Sequence, residues 1–164
     1  MFNLKAEFYL KIIFLFSFIA LISAFFIEYI LGHQPCNLCL IERIPYGLSI
    51  MIIMAFFLIK KNQKFFVLLL ILTFTFSFAI SFYHFGIEQG FFKESSVCGL
   101  NNKSEIISKE EILKQLSQKT ISCKDVTFRI FGLSLTTFNI AISLFLSILL
   151  IYMFRNYDKF RKKS

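Results

Sequence analysis

The chain has 164 residues, of which 57% are hydrophobic and only 17% charged, with 24 Phe and a formal net charge of +8. A water-soluble domain carries about 25% charged residues, so this composition excludes an ordinary globular protein and points to one integral membrane domain, 1–164. The positive excess gathers at the two termini and in one short loop, a pattern of membrane topology rather than of nucleic-acid binding.

Four apolar blocks, 10–31, 44–59, 65–83 and 133–154, are each predicted to cross the bilayer, which takes about 20 helical residues. The expected fold is an all-α bundle of four transmembrane helices with two external loops, 32–43 and 84–132. The first block exceeds the 7–15 apolar residues of a signal peptide, and no clear cleavage site follows it, so it is expected to be retained as a span.

The first loop carries Pro35 and then Cys36-Asn37-Leu38-Cys39. Two thiols separated by two residues open and close with little backbone movement, which suggests redox chemistry. The second block reaches full length if its helix starts near Cys39, with Glu42 and Arg43 at headgroup level. Cys39 would then sit at a helix N-terminus, where free N–H groups and the dipole favour a thiolate. Arg43, one turn on, would add a permanent charge favouring that thiolate or an anionic ligand. Pro45 lacks an N–H and fits best in a first helical turn, so a start near Ile44, or an irregular stretch before it, is the other reading. The pair also has inert readings. It could be a structural disulfide or half of a metal site, although Cys₄ sites usually use two close pairs, whereas Cys98 and Cys123 are 25 positions apart.

His84 and Glu88 fall four apart where the third block ends, and are expected to face each other on one helical turn. Ionisable residues at a membrane edge near a redox centre handle protons; interfacial anchoring is the alternative. The second loop contains a capping box, Ser108-Lys109-Glu110-Glu111, opening a short amphipathic helix with Ile112, Leu113 and Leu116 on one face. Such a helix lies on the membrane or simply covers the surface. Cys98 and Cys123 flank it. In the fourth block Asn139 and Ser143, four apart, are expected to hydrogen-bond between helices.

Ten basic and two acidic residues occupy the N-terminus, the 60–64 loop and the tail, against eight of each sign elsewhere. The positive-inside rule therefore predicts cytoplasmic termini and outward-facing cysteines, where disulfides persist. Tyr9, Tyr29, Tyr46, Tyr83, Tyr152 and Tyr157 fall at or near block ends, as interfacial rings should. A redox pair at the membrane suggests electron exchange with a lipid-soluble carrier, and hence an enzyme that makes disulfides.

The stretch Cys36-Asn-Leu-Cys39-Leu-Ile-Glu-Arg43-Ile-Pro45-Tyr46 resembles the C-x-L-C-x-x-x-R-x-P-Y segment of DsbB-type disulfide bond formation proteins. Tyr83-His84-Phe-Gly86-Ile-Glu88 resembles the end of their third span. Cys123-Lys-Asp125 and Phe131-Gly132-Leu133-Ser134 through Asn139 and Ser143 resemble their return into the fourth, so the likeness covers nearly the whole chain. Gln89 stands where many members carry an aromatic residue, which touches nothing catalytic. The resemblance implies a four-helix bundle in a bacterial inner membrane with a bound quinone, ubiquinone or menaquinone. It implies that Cys36–Cys39 passes electrons to the quinone, with Cys39 beside the ring and Arg43 assisting. His84 and Glu88 complete the expected cofactor surroundings. Cys98–Cys123 is implied to exchange with a soluble periplasmic thiol oxidase of the DsbA type: the partner attacks Cys98, Cys123 is released and attacks Cys36, and Cys39 becomes the thiolate. The quinone-coupled vitamin K epoxide reductase type shares these parts but carries its CxxC late in the chain. The non-enzymatic alternative is a small membrane subunit stapled by two disulfides.

Overall fold

The computed structural model describes residues 4–59, 62–93, 98, 122–124, 129–130 and 132–156. The amphipathic helix expected after Ser108 lies outside the described residues. Four helices, α1 (Leu4–Tyr29), α2 (Asn37–Leu58), α3 (Gln63–Glu88) and α4 (Leu135–Arg155), are long and apolar enough to cross a membrane. Helix is the natural state of such segments, because lipid offers no partner for an unpaired backbone group.

The helices differ in extent from the apolar blocks. α2 begins at Asn37, not near Ile44, because Cys36 caps it: its backbone is extended (φ −72, ψ 166) and its sulfur accepts the Cys39 N–H at 3.2 Å. The helix then runs through Pro45, which is buried among its neighbours. Proline removes the bond to the Ile41 carbonyl, a loss tolerated in spans packed against other helices. The loop expected at 32–43 is correspondingly short. α3 continues to Glu88, so His84 and Glu88 stand on the helix and not in the loop expected to start at 84. α4 starts at Leu135, because Leu133–Ser134 (β2) pairs antiparallel with Arg129–Ile130 (β1) in a minimal hairpin. The Ser134 hydroxyl caps α4 by accepting the Thr137 N–H at 3.3 Å.

α3 packs against both α2 and α4, and α1 packs against α2. Leu10, Ile53, Phe56, Leu70, Phe74 and Leu150 form the centre of the core. Between helices run pairs of small polar side chains: Ser17 with Ser49 and Ser77 with Ser143, both at 3.0 Å, and Asn139 with Ser81 at 2.7 Å. Such bonds contribute about 0.6 kcal/mol each in a bundle. Large apolar side chains cover the outside, with Met51 69%, Phe76 60% and Phe145 64% exposed, as a lipid-facing surface requires. Tyr29 and Tyr152 are exposed at helix ends, but Tyr46 is not an interfacial ring. It is buried, and its hydroxyl donates to Asn139. The helix starts earlier than the apolar count suggests, and this draws Tyr46 into the bundle.

Beyond α3 the chain turns back through Gly90 (φ +78), a conformation that suits glycine. The Phe92 N–H donates to the Gly86 carbonyl at 3.1 Å, and the Phe92 ring stacks on Tyr83 with centroids 5.6 Å apart.

Candidate redox site

All four cysteines meet at one end of the bundle. Cys36, Cys98 and Cys123 share a buried cluster with Leu38 and Ile87, and Cys39, Ile41, Ile80 and Tyr83 pack against it. Cys98 and Cys123 are joined by a disulfide with Cα atoms 5.4 Å apart. Cys36 and Cys39 are free thiols.

The helix start decides which sulfur is capped. Because α2 begins at Asn37, the N-terminal position belongs to Cys36 and not, as expected from the sequence, to Cys39. Its sulfur accepts the Cys39 N–H and lies 3.5 Å from His84 Nε2. Hydrogen bonding from Cys39 is the main cause that brings the Cys36 thiol down to about 5; the His84 ring acts in the same direction, and burial opposes both.

Behind Cys36 lies a closed polar network. His84 Nδ1 faces Glu42 Oε1 at 2.9 Å, and a carboxylate only accepts, so the ring donates there. The Asn139 amide donates to Glu42 Oε2 at 3.0 Å. Glu88 accepts from Ser134 at 2.6 Å and from Thr136 at 2.7 Å, and its Oε1 stands 3.8 Å from His84 Nε2. His84 and Glu88 thus share a helical turn, as their spacing predicts, but both are buried. Interfacial anchoring does not describe them. A buried charge costs several kcal/mol unless paired, and here each carboxylate has two donors.

On the other side of Cys39 is a cavity of about 350 Å³ between α1, α2 and α4. Its wall is mostly apolar, with Cys39, Glu42, Arg43, Tyr46 and Asn139 among its polar members. Arg43 pairs with Glu28 and donates to the Ala24 carbonyl at 3.5 Å, and its guanidinium lies 5.3 Å from the Phe25 ring centre. Of the four residues expected around a cofactor, Cys39 and Arg43 line this cavity. His84 and Glu88 do not, because they project from α3 behind the cysteines.

Glu42 is the residue whose surroundings the sequence did not reveal. It faces into the bundle, 8% exposed, and joins the cavity wall to His84. The available sign was its position three residues after Cys39, inside a helix otherwise poor in charge.

Four membrane-length helices that bring two cysteine pairs into one buried cluster beside an apolar cavity define a membrane-embedded thiol–disulfide protein. Residues 6–153 match the family described as disulfide bond formation protein DsbB, and the chain belongs to that family. It is also similar to an uncharacterized protein of Rickettsia prowazekii (strain Madrid E), 32% identical over 142 residues that cover 83% of each chain.

Proposed function

We propose that this multi-pass protein of a bacterial inner membrane reoxidises a periplasmic dithiol oxidase of the DsbA type and passes the electrons to a membrane quinone. The termini would lie in the cytoplasm and the cysteines at the periplasmic face. The observation that carries this reading is that Cys39 belongs to both places at once: it packs on the cluster holding Cys98–Cys123 and it lines the cavity.

The residues fit a quinone. A flat ring with oxygens at its edges needs an apolar slot with a few placed donors, and Phe16, Ile19 and Ile142 supply the slot while Arg43, Tyr46 and Asn139 supply polar groups. Arg43 would hold a ring oxygen through its planar fork, and Cys39 would lie beside the ring. When bound, the quinone supplies the acceptor for the two electrons released as Cys36 and Cys39 close their disulfide.

The chain's own steps are thiol–disulfide exchanges. A partner thiolate attacks Cys98 and expels Cys123. Cys123 attacks Cys36 of the closed Cys36–Cys39 pair and expels Cys39 as a thiolate at the cavity wall. His84 sits where it can take or return a proton at the Cys36 sulfur, with Glu42 holding the ring and Glu88 beside it.

The deciding experiment is extraction of quinone from the purified protein, together with quinone absorbance followed during addition of a reduced dithiol oxidase. Bound quinone and a thiol-dependent fall in its absorbance are expected. Absence of both would leave a membrane subunit held by disulfides.

A further inference from the structure

Cys36 Sγ, Cys39 Sγ and a ring nitrogen of His84 all lie within 4.8 Å of one another. We propose that the reduced Cys36–Cys39 pair and His84 form a three-ligand site for a zinc-class cation, and that occupancy of this site closes the protein to thiol exchange. Its effect on thiol exchange rests on the function proposed above, whereas cation binding and masking of the two sulfurs are read directly and can fail or hold without it.

The donor set is right for such an ion. Two thiolates at Cys-x-x-Cys spacing with one imidazole make a Cys₂His set, which suits borderline-soft d¹⁰ metals. Zinc holds sulfur at about 2.3 Å and nitrogen at about 2.0–2.1 Å, so tetrahedral ligand atoms stand roughly 3.5 Å apart. Cys36 Sγ and His84 Nε2 are already at 3.5 Å. Cys39 Sγ lies within 4.8 Å of both.

The surroundings are built as a zinc ligand requires. A metal-bound histidine usually gives its other ring N–H to a carboxylate, which fixes the tautomer and turns the free lone pair to the metal. Here Nδ1 donates to Glu42 at 2.9 Å and Nε2 faces the cysteine sulfur. Two thiolates and a divalent cation are neutral together, which suits a buried position. Cys39 borders the cavity, so a fourth ligand, water or a small anion, can approach from that side.

The site is gated by oxidation state. A closed Cys36–Cys39 disulfide has no thiolate to offer, and Cys98 and Cys123 are bonded to each other. The cation therefore binds only the dithiol form and masks both sulfurs while it stays.

The test uses the full chain with Cys98→Ser and Cys123→Ser, reduced with a phosphine, and Zn²⁺ in competition with a chromophoric chelator. One Zn²⁺ per reduced chain is expected. Cys36→Ser, Cys39→Ser and His84→Gln should each weaken binding at least tenfold, and Glu42→Gln by about 10–100-fold. Equal affinity in His84→Gln, or equal affinity in the diamide-oxidised protein, would overturn the site. Because these substitutions touch a buried network, a second measurement keeps the native sequence. Saturating Zn²⁺ should slow maleimide labelling of Cys36 and Cys39 in the reduced chain at least tenfold, and unchanged labelling overturns the proposal.

Discussion

The sulfur of Cys36 lies 3.5 Å from Nε2 of His84, a residue 48 positions away on the neighbouring helix α3. The ring is held in turn by Glu42, one helical turn beyond the cysteine pair on α2. The first cysteine of the pair therefore has an acid–base partner, and the second has the cavity. The two thiols therefore have different surroundings: Cys36 stands beside His84 and Cys39 on the cavity wall, the difference on which the proposed relay rests.

The first prediction concerns the ionisation of Cys36. Its thiol is brought down to about 5, so the anion is the form present above that pH and is lost as pH falls through it. In a reduced Cys39→Ala variant the side-chain donor at position 39 is gone, and the midpoint should rise. In the reduced native chain, Cys36 should label with iodoacetamide at a rate that levels off by about pH 7, whereas an ordinary thiol keeps gaining up to about 8.5. His84→Ala should move the midpoint upward, because it removes a group that favours the anion. A midpoint unmoved by His84→Ala would show that the ring does not act on this sulfur.

Arg43 carries the second. It lines the cavity and is steadied by Glu28, the Ala24 carbonyl and the Phe25 ring. Arg43→Ala should raise the apparent quinone KM by about tenfold or more, the scale of a charge-assisted hydrogen bond of about 1.5–3 kcal/mol. Exchange at Cys98–Cys123 should be largely unaffected. Arg43→Lys should recover only part of the loss, since a point charge lacks the planar fork. Quinone titrations of the three proteins measure this directly.

Gly86 provides a third. A Cβ placed there would run into the Phe92 ring, which the chain folds back over Gly86 and Tyr83. Gly86→Ala should therefore dislodge Phe92 and destabilise the fold by roughly 1–3 kcal/mol, the usual cost of overpacking. Thermal unfolding in detergent reads the stability. Gly86→Ala combined with Phe92→Ala should recover most of it, because the second substitution removes the obstruction.

The fourth tests orientation. Reporter fusions after Gln63 and after Ser164 should read cytoplasmic, and one near Glu110 periplasmic, because the basic excess lies at the termini and in the 60–64 loop. A periplasmic reading at Gln63 would invert the bundle and place the cysteines on the reducing side, where a disulfide relay does not operate.

Much of this protein is legible along the chain. Four spans follow from runs of about 20 apolar residues, because the bilayer imposes a length and allows no unpaired backbone. The closeness of Cys36 and Cys39 follows from their spacing, and the interhelical bonding of Asn139 and Ser143 from polar groups inside an apolar span. The turn shared by His84 and Glu88 follows from helical periodicity. All of these depend on residues within a few positions of each other. What depended on tertiary structure was which partner each polar group found. The length of α2 was set by a sulfur acting as its cap, which gave the N-terminal position to Cys36. Glu42 went inward because His84 and Asn139, from two other helices, meet it there and offset the cost of burying a carboxylate. Arg43 turned toward Glu28 of α1, and Tyr46 toward Asn139 of α4. Hydropathy reports how readily a residue leaves water; it says nothing about a partner on another helix, and only the packing of the four helices could supply one.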